Sequence, residues 1–587
     1  MKLLKDEVQH LVMEALETLG GDSSLVEKML QSSREITQGD LTLPCFPFAK
    51  ALGMAPVAIA ENLKDAMKPH DAVSDITAVN GYLNIRASPS WLAKQLLAGH
   101  SRHAANEIRT DVLIEHTSAN PNGPFHVGRA RNAILGDTLV RLHRLWGNRV
   151  TAEYYVDDMG KQVAVLAWAL ENMSEQEVEE LLFDRDPVNP QWVNKADHQR
   201  VRFYQAAQRR RQEGSDAEEI EKAIGSLVHA SEHGDESVLE AFQRAYQPVL
   251  DGMLETLGRL GVHFDRFTKE STFVVNGDVA DLMEELSGLG INGVAENGAQ
   301  YLDLGQRGLK GKTEFFYRRG DGSSLYATRD IAYHRWKWRQ CDRLVNVLGE
   351  DHKLQAQQVG MTLVELGERK PEVMFYSFIK LPEGKMSTRR GNVVFMDDLL
   401  EEAHAHAKEV LKERRPELSA SEVANIAEAV GTSAVRFNIV NVSPEKGFTF
   451  RWEDALSFEA GSAPFIMYSH TRACSIRRRV QEIDPHAEPS SSVDMLDESQ
   501  MPEGLVALLR TLAVHDDRLS KAVREHRPNL FAEYMLHLST AYNAFYRDCY
   551  IVQNGQINTF FYTVSELARA ALKAGMEGLG IVALESM

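Results

Sequence analysis

Between residues 112 and 156 the chain runs strand, turn, helix, strand, and this run limits the fold more than any other. Val112-Leu113-Ile114 is a short apolar run of the buried-strand type, and Asn120-Pro121-Asn122-Gly123-Pro124 is a turn. The helix that follows carries Leu135, Leu139, Leu142 and Trp146 at spacings of four and three, and Gly147-Asn148 stops it. Val150 to Val156 is the next strand. Such a unit is a parallel, right-handed crossover, the building block of a nucleotide-binding sheet.

Two short motifs fit that frame. Pro124-Phe125-His126-Val127-Gly128-Arg129 opens the helix, and Gly384-Lys385-Met386-Ser387-Thr388-Arg389-Arg390 lies in a polar loop after a later strand-like run, Met374 to Leu381. With 20 His and 40 Gly in 587 residues, a His-x-Gly triplet arises by chance about once per chain. The information is therefore in the order, the context and the pairing. Free N–H groups and the dipole at a helix start attract phosphate oxygens, and Gly128 lets a nucleotide approach without a Cβ in the way. Lys385, with Ser387, Thr388, Arg389 and Arg390, can neutralise a pyrophosphate leaving group. A cap for His126 and an exposed basic turn for Lys385 are the bland alternatives when each motif is taken alone. Walker-type and Rossmann glycine patterns are not evident, which disfavours P-loop enzymes and dehydrogenases.

A chain of 587 residues divides into about three to four domains. Its 43% hydrophobic and 25% charged residues are those of a globular protein. No apolar run reaches the roughly 20 residues of a membrane helix. The charged amphipathic start, Met1-Lys2-Leu3-Leu4-Lys5-Asp6-Glu7, is unlike a signal peptide, so a cytoplasmic protein without membrane contact is expected. Cys45, Cys341, Cys474 and Cys549 are far apart, so no structural zinc is expected. A net charge of −19 argues against indiscriminate nucleic-acid binding but leaves room for a local basic track.

The fold class is α/β with helical additions. Residues 1–108 form a small α/β domain with a helix near Leu3 to Leu19, a helix begun by Pro56, and a hairpin in which Ile76 to Val79 and Tyr82 to Ile85 flank Asn80-Gly81. Residues 109–396 form a Rossmann-like parallel-sheet domain with a charged helical insertion at about 173–300. Strand-like runs return at Phe273-Val274-Val275, Leu344 to Leu348 and Met374 to Leu381. Residues 397–455 are a helical stem and 456–587 an α-helical bundle, with a polar connection at Glu482 to Glu503.

These residues resemble the class I aminoacyl-tRNA synthetases, and within them the arginyl-tRNA synthetases. Glu115-His116-Thr117-Ser118-Ala119-Asn120 through Gly128 is similar to that family's first signature, and Lys385 to Arg389 to its second. Gly39-Asp40, Phe48-Ala49-Lys50 and Gly81-Tyr82-Leu83-Asn84 resemble its N-terminal domain, and Tyr154 to Gln162 its next catalytic strand. Tyr326-Ala327-Thr328-Arg329-Asp330 resembles its amino-acid pocket, while Tyr542 to Tyr546 and Gly578 to Ile581 resemble its anticodon-binding domain. Arg129 stands where the family commonly has a second His, and Thr388 where it commonly has Lys.

The resemblance implies an arginine–tRNA ligase that forms arginyl-adenylate from ATP with Mg²⁺ and needs tRNA for that step. It implies Glu115, Asn120, Tyr326, Asp330 and Gln357 as arginine contacts. ATP falls to His126, Gly128, Lys385, Met386, Ser387 and Thr388, and catalysis to His126, Gly128, Arg129, Lys385 and Arg389. The partners are L-arginine and its tRNA, held through Tyr82 and Asn84 at one end and Tyr468, Arg472 and Arg477 at the other, by a monomer. Rival readings are a class I synthetase for cysteine or glutamate, and a tRNA-binding protein without catalysis.

Overall fold

Alternation of short apolar strands with amphipathic helices builds one parallel sheet in the middle of the chain. Its strands are β1 (Asp111–Glu115), β2 (Arg149–Val156), β3 (Arg266–Lys269), β4 (Arg343–Gly349) and β5 (Glu372–Tyr376), in the order β5-β4-β1-β2-β3. Every neighbouring pair is parallel. Val112, Leu113 and Ile114 of the central strand are buried, as expected for a sheet covered on both faces. Chain order reverses between β1 and β4, and in open α/β sheets ligands bind outside the carboxyl ends of the strands at such a point. The computed structural model describes residues 2–33, 38–99, 109–185, 187–380, 394–457, 461–490 and 496–587. Lys385, Met386, Ser387, Thr388 and Arg389 lie outside them. Residues 108–456 form one unit, and residues 1–107 with 457–587 form a second.

Helix α1 (Val127–Leu145) is the crossover from β1 to β2. It runs against the sheet so closely that a Cβ on Gly136 would lie 2.3 Å from Cβ of buried His116. Gly136→Ala is expected to lower stability by about 2 kcal/mol in a urea titration. Overpacking costs about 1–3 kcal/mol and outweighs the roughly 1 kcal/mol gained in helix propensity.

Inside the range expected as an insertion, helices α2 (Ala196–Glu213) and α3 (Glu236–Arg259) pack with Glu175–Leu181 and Ala217–Glu232. The chain then returns to the sheet as β3, pairing Glu153 with Arg266 through Val156 with Lys269. The run Phe273-Val274-Val275, expected as a strand, is a correction: it is helical, Ser271–Val275. Asp158 accepts from Ser271 N at 2.9 Å and from Ser271 Oγ at 2.6 Å, which starts the helical turn, and Gly277 at φ +88° closes the stretch. A short apolar run does not distinguish strand from buried helix by itself. Three short antiparallel strands, Asn292–Val294, Gln300–Asp303 and Glu314–Arg318, then lead into α4 (Tyr326–Trp338). Helices α5 (Lys353–Glu365) and α6 (Met396–Arg414) follow β4 and β5, and Ala420–Val440 packs on α6.

In the second unit, Gln31–Ser32, Leu41–Pro44, Tyr82–Ala87 and Val73–Val79 make an antiparallel sheet in that order. Asn80 at φ 53° and Gly81 at φ 82° form the tight turn of its hairpin, as the dipeptide requires. The C-terminal helices Ala463–Ile483, Glu503–Ala513, His515–Arg524, Pro528–Asp548 and Thr559–Leu579 pack together. Ala513 enters the same core as Leu41 and Leu43, and Arg510 Nε lies 3.5 Å from Asp40 Oδ2. The two ends of the chain therefore meet in one unit. Among the described residues no helix is long and apolar enough to cross a membrane.

Candidate active site

A cavity of about 660 Å³ opens at the carboxyl ends of β1, β2 and β4, where the strand order predicts one. Glu115 and Asn346 line it and belong to a polar row. In register across the sheet stand Asn346, Glu115, Glu153 and Arg266, one from each of four neighbouring strands, so their side chains share a face. Arg266 Nε donates to Glu153 Oε2 at 2.5 Å. Fully buried Lys337, from α4, donates to Glu115 Oε2 at 2.5 Å and to Asn346 Oδ1 at 3.1 Å, with its ammonium 4.1 Å from the Tyr333 ring centroid. Glu115 Oε1 accepts from Ser118 Oγ at 3.1 Å. Glu115 is thus a fixed and already balanced anion.

The turn after β1 is strained. Thr117 has φ 70° and Ser118 φ 39°, a region that a β-branched residue such as Thr rarely adopts. It is held by Asn132 Oδ1, which accepts from Thr117 N at 2.7 Å, and by Tyr154 Oη, which donates to Ala119 O at 2.7 Å. Asn120 follows at once, lining the cavity and donating from Nδ2 to Gln162 Oε1 at 2.9 Å.

Helix α4 supplies the opposite wall. Asp330, His334 and Lys337 lie at i, i+4 and i+7, on one face. His334 Nδ1 is 3.0 Å from Asp330 Oδ1. Burial pushes the Asp330 carboxyl up, but His334 and Lys337 outweigh it and hold the group below the usual carboxylate range. Tyr326, 49% exposed, lines the mouth. Asp157 lines the cavity too, and next to it is buried Glu270, with Arg329 Nε donating to Glu270 Oε1 at 2.5 Å. Burial raises both carboxyls, and Arg329 offsets only part of the rise. The site carries more acid than its cations balance, as a pocket for a cationic ligand would. Lys337 and His334 have no counterpart in the motif reading. Their signal is the helical spacing from Asp330, with a lysine on a face otherwise bearing Tyr333.

At the other end His126 precedes α1 in an extended conformation, and a Cβ on Gly128 would lie 3.0 Å from the His126 ring. Burial, and secondarily Arg129, depress the His126 imidazole to about 4, so the ring is neutral near pH 7. His126 also bridges Phe395: Val127 N donates to Val394 O at 3.0 Å and Met396 N to Phe125 O at 2.8 Å. Residues 394–396, which come a few positions after the second motif, are therefore hydrogen-bonded to the first. Gln357, expected to touch the amino acid, is exposed on α5 and does not line the cavity; Gln355 does, because two residues turn a helical side chain by about 200°.

In the other unit, Asn84 is only 7% exposed and accepts from Thr42 Oγ1 at 2.8 Å, so it ties two strands together, whereas Tyr82 is 41% exposed. Arg472 lies between two exposed rings, 4.4 Å from the Tyr468 centroid and 5.1 Å from that of Tyr546. Arg477 sits 3.9 Å from Glu566 with its own side chain 42% exposed.

Residues 92–452 match the family model for tRNA synthetases class I (R), catalytic domain. The chain belongs to the class I arginyl-tRNA synthetase family. Residues 6–87 match the arginyl tRNA synthetase N terminal domain and 466–587 the DALR anticodon binding domain. Arginine–tRNA ligases of Methanocella arvoryzae and Methanocorpusculum labreanum are 39% and 38% identical, the first across 100% of both chains and the second across 92% of this chain and 93% of the relative. The solved arginyl-tRNA synthetase of Thermus thermophilus superposes with a TM-score of 0.77 at 25% identity, covering 99% of this chain and 100% of that one. Arginyl-tRNA synthetases thus share with this chain its sheet, its N-terminal sheet domain and its C-terminal helices.

Proposed function

We propose that the protein ligates L-arginine to its tRNA through arginyl-adenylate. The arginine carboxylate oxygen attacks the α-phosphorus of ATP, the bond to the bridging oxygen breaks, and pyrophosphate leaves. A terminal ribose hydroxyl of the tRNA then attacks the arginyl carbonyl, its proton passes to the departing phosphate or to water, and AMP leaves with the bonding pair. The observation that carries this reading is one cavity with acids at one end, Asp330, Asp157 and Glu115, and a helix start bearing His126 at the other. Guanidinium and ammonium suit the first end, phosphate the second. His126, neutral, donates a proton-bearing ring nitrogen to the phosphate without changing its own charge. Mg²⁺ belongs to this reading: Asp351, an exposed carboxylate lining the cavity, is a hard oxygen donor of the kind the ion takes, and the ion would neutralise phosphate charge. Tyr82 on the N-terminal sheet and the Tyr468–Arg472–Tyr546 face are the tRNA contacts, the latter offering stacking and a cation to unpaired bases.

Pyrophosphate exchange measured with arginine, lysine, glutamate and cysteine, each with and without tRNA, tests the reading. Exchange with arginine and tRNA alone is the expected result. No exchange under that condition removes the catalytic reading, and exchange without tRNA removes the tRNA requirement only.

A pH dependence follows from the acids. A bound guanidinium favours ionised Asp157, which lines the cavity and whose carboxyl burial raises to about 6. As pH falls below that value a proton must leave before the cation binds, so the arginine KM is expected to rise by up to about tenfold per unit. A KM flat between about pH 5 and 7 would place the guanidinium elsewhere.

A further inference from the structure

A buried charge cluster joins the insertion to the segment that touches the first motif. At its centre is Asp397, fully buried, the second residue of α6. Lys195 Nζ, just before α2, donates to Asp397 Oδ2 at 2.7 Å, and His198 Nε2 lies 3.0 Å from the same oxygen. From α3, Thr256 Oγ1 donates to Asp397 Oδ1 at 3.0 Å and Arg259 Nη1 at 3.2 Å. Next to it, Trp192 Nε1 donates to Asp398 Oδ1 at 3.0 Å, and the His198 ring meets Phe395 edge-on, centroids 5.2 Å apart. Asn189 Nδ2 also donates to Asp398 Oδ1 at 3.1 Å, so six groups from the insertion hold residues 395–398.

Asp197, His198 and Asp397 bring three ligand atoms within 4.8 Å of one another, a spacing that suits a metal ion. The Lys195 ammonium already occupies that neighbourhood, 3.4 Å from Asp197 Oδ2 as well as bonded to Asp397, and Arg259 adds a second positive charge. Two carboxylates facing two cations leave no negative charge for a divalent ion, so the cluster is an internal lock. Burial would lift the Asp397 carboxyl, but His198 and Lys195 hold it at about 2, and the lock stays charged.

What the lock holds is the strip Val394-Phe395-Met396, whose backbone is bonded to Phe125 and Val127 on either side of His126. We propose that Asp397 is a positioning residue for His126, through which the insertion helices fix the start of α1 for reaction at phosphate. This inference rests on the reading of His126 as a group that acts on ATP.

The test is Asp397→Asn in the full chain, with arginine- and tRNA-dependent pyrophosphate exchange and the His126 ring resonance as readouts, using isotope-labelled histidine and assigning the peak by its loss in His126→Gln. The expected result is a kcat at least about tenfold lower, with the arginine KM within about twofold of wild type. The His126 resonance is expected to move, its titration midpoint rising from about 4 toward the ordinary histidine value. An unmoved His126 resonance in folded Asp397→Asn overturns the proposal whatever the rate does, and so does an unchanged rate. If Asp397→Asn does not fold, Arg259→Gln, altered at the partly exposed end of the cluster, is read by the same outcomes. Full exchange by His126→Gln would instead overturn the reading of His126, and the resonance alone would then decide what Asp397 positions.

Discussion

Asp330→Asn is expected to raise the KM for arginine by about 30-fold or more while leaving the KM for ATP within about twofold, because removing one partner of a desolvated charge pair costs about 2–5 kcal/mol and 1.4 kcal/mol is tenfold. The substitution keeps the shape of the side chain and removes its charge. One Asp330 oxygen is taken by His334 at 3.0 Å, so the carboxylate is oriented before any ligand arrives. Orientation matters because a guanidinium is planar and rewards a carboxylate set in its plane. Steady-state kinetics with each substrate varied in turn measures both constants. An arginine KM unchanged by the substitution would take Asp330 out of the pocket, and a parallel rise in the ATP KM would mean that α4 had shifted as a whole.

The sheet could be anticipated because its signals are local. Val112-Leu113-Ile114, the turn at Asn120 to Pro124 and the stop at Gly147 each act over a few residues, and β1, α1 and β2 form where they predict. Asn80-Gly81 specifies its hairpin for the same reason. What escaped depends on partners distant in sequence. Phe273-Val274-Val275 becomes a helical turn because Asp158, more than a hundred residues earlier, accepts from Ser271. Asn84 reads as a surface amide until Thr42 is seen bonded to it across the sheet. Glu115 reads as a free anion until Lys337 and Asn346 come together beneath it from α4 and β4. Gln355 and Gln357 differ only by helical phase, which residue type does not report. Resemblance pointed to Glu115 and Asp330, whereas Lys337 and His334 beside them came only from geometry.

His126→Ala is expected to lower kcat for arginine- and tRNA-dependent pyrophosphate exchange by about 10²–10³-fold, the loss typical of removing one donor aimed at charge developing in a transition state. The arginine KM should stay near its wild-type value, since the acids proposed to hold the cation, Asp157 after β2 and Asp330 on α4, come from other elements than the start of α1. The pH profile separates this ring from those acids. Burial depresses His126 to about 4, so the imidazole is neutral throughout the range from about 5 to 8 and gains a proton only below it. Asp157, which lines the cavity and is raised by burial to about 6, titrates within that range. An acid-side fall in kcat/KM for arginine must therefore survive in the weakly active His126→Ala enzyme with its midpoint unmoved, because kcat/KM reports groups of the free enzyme. Disappearance of that limb with the imidazole would mean that His126 titrates near neutrality and acts on the phosphate as a cation, contrary to the buried, neutral donor described above.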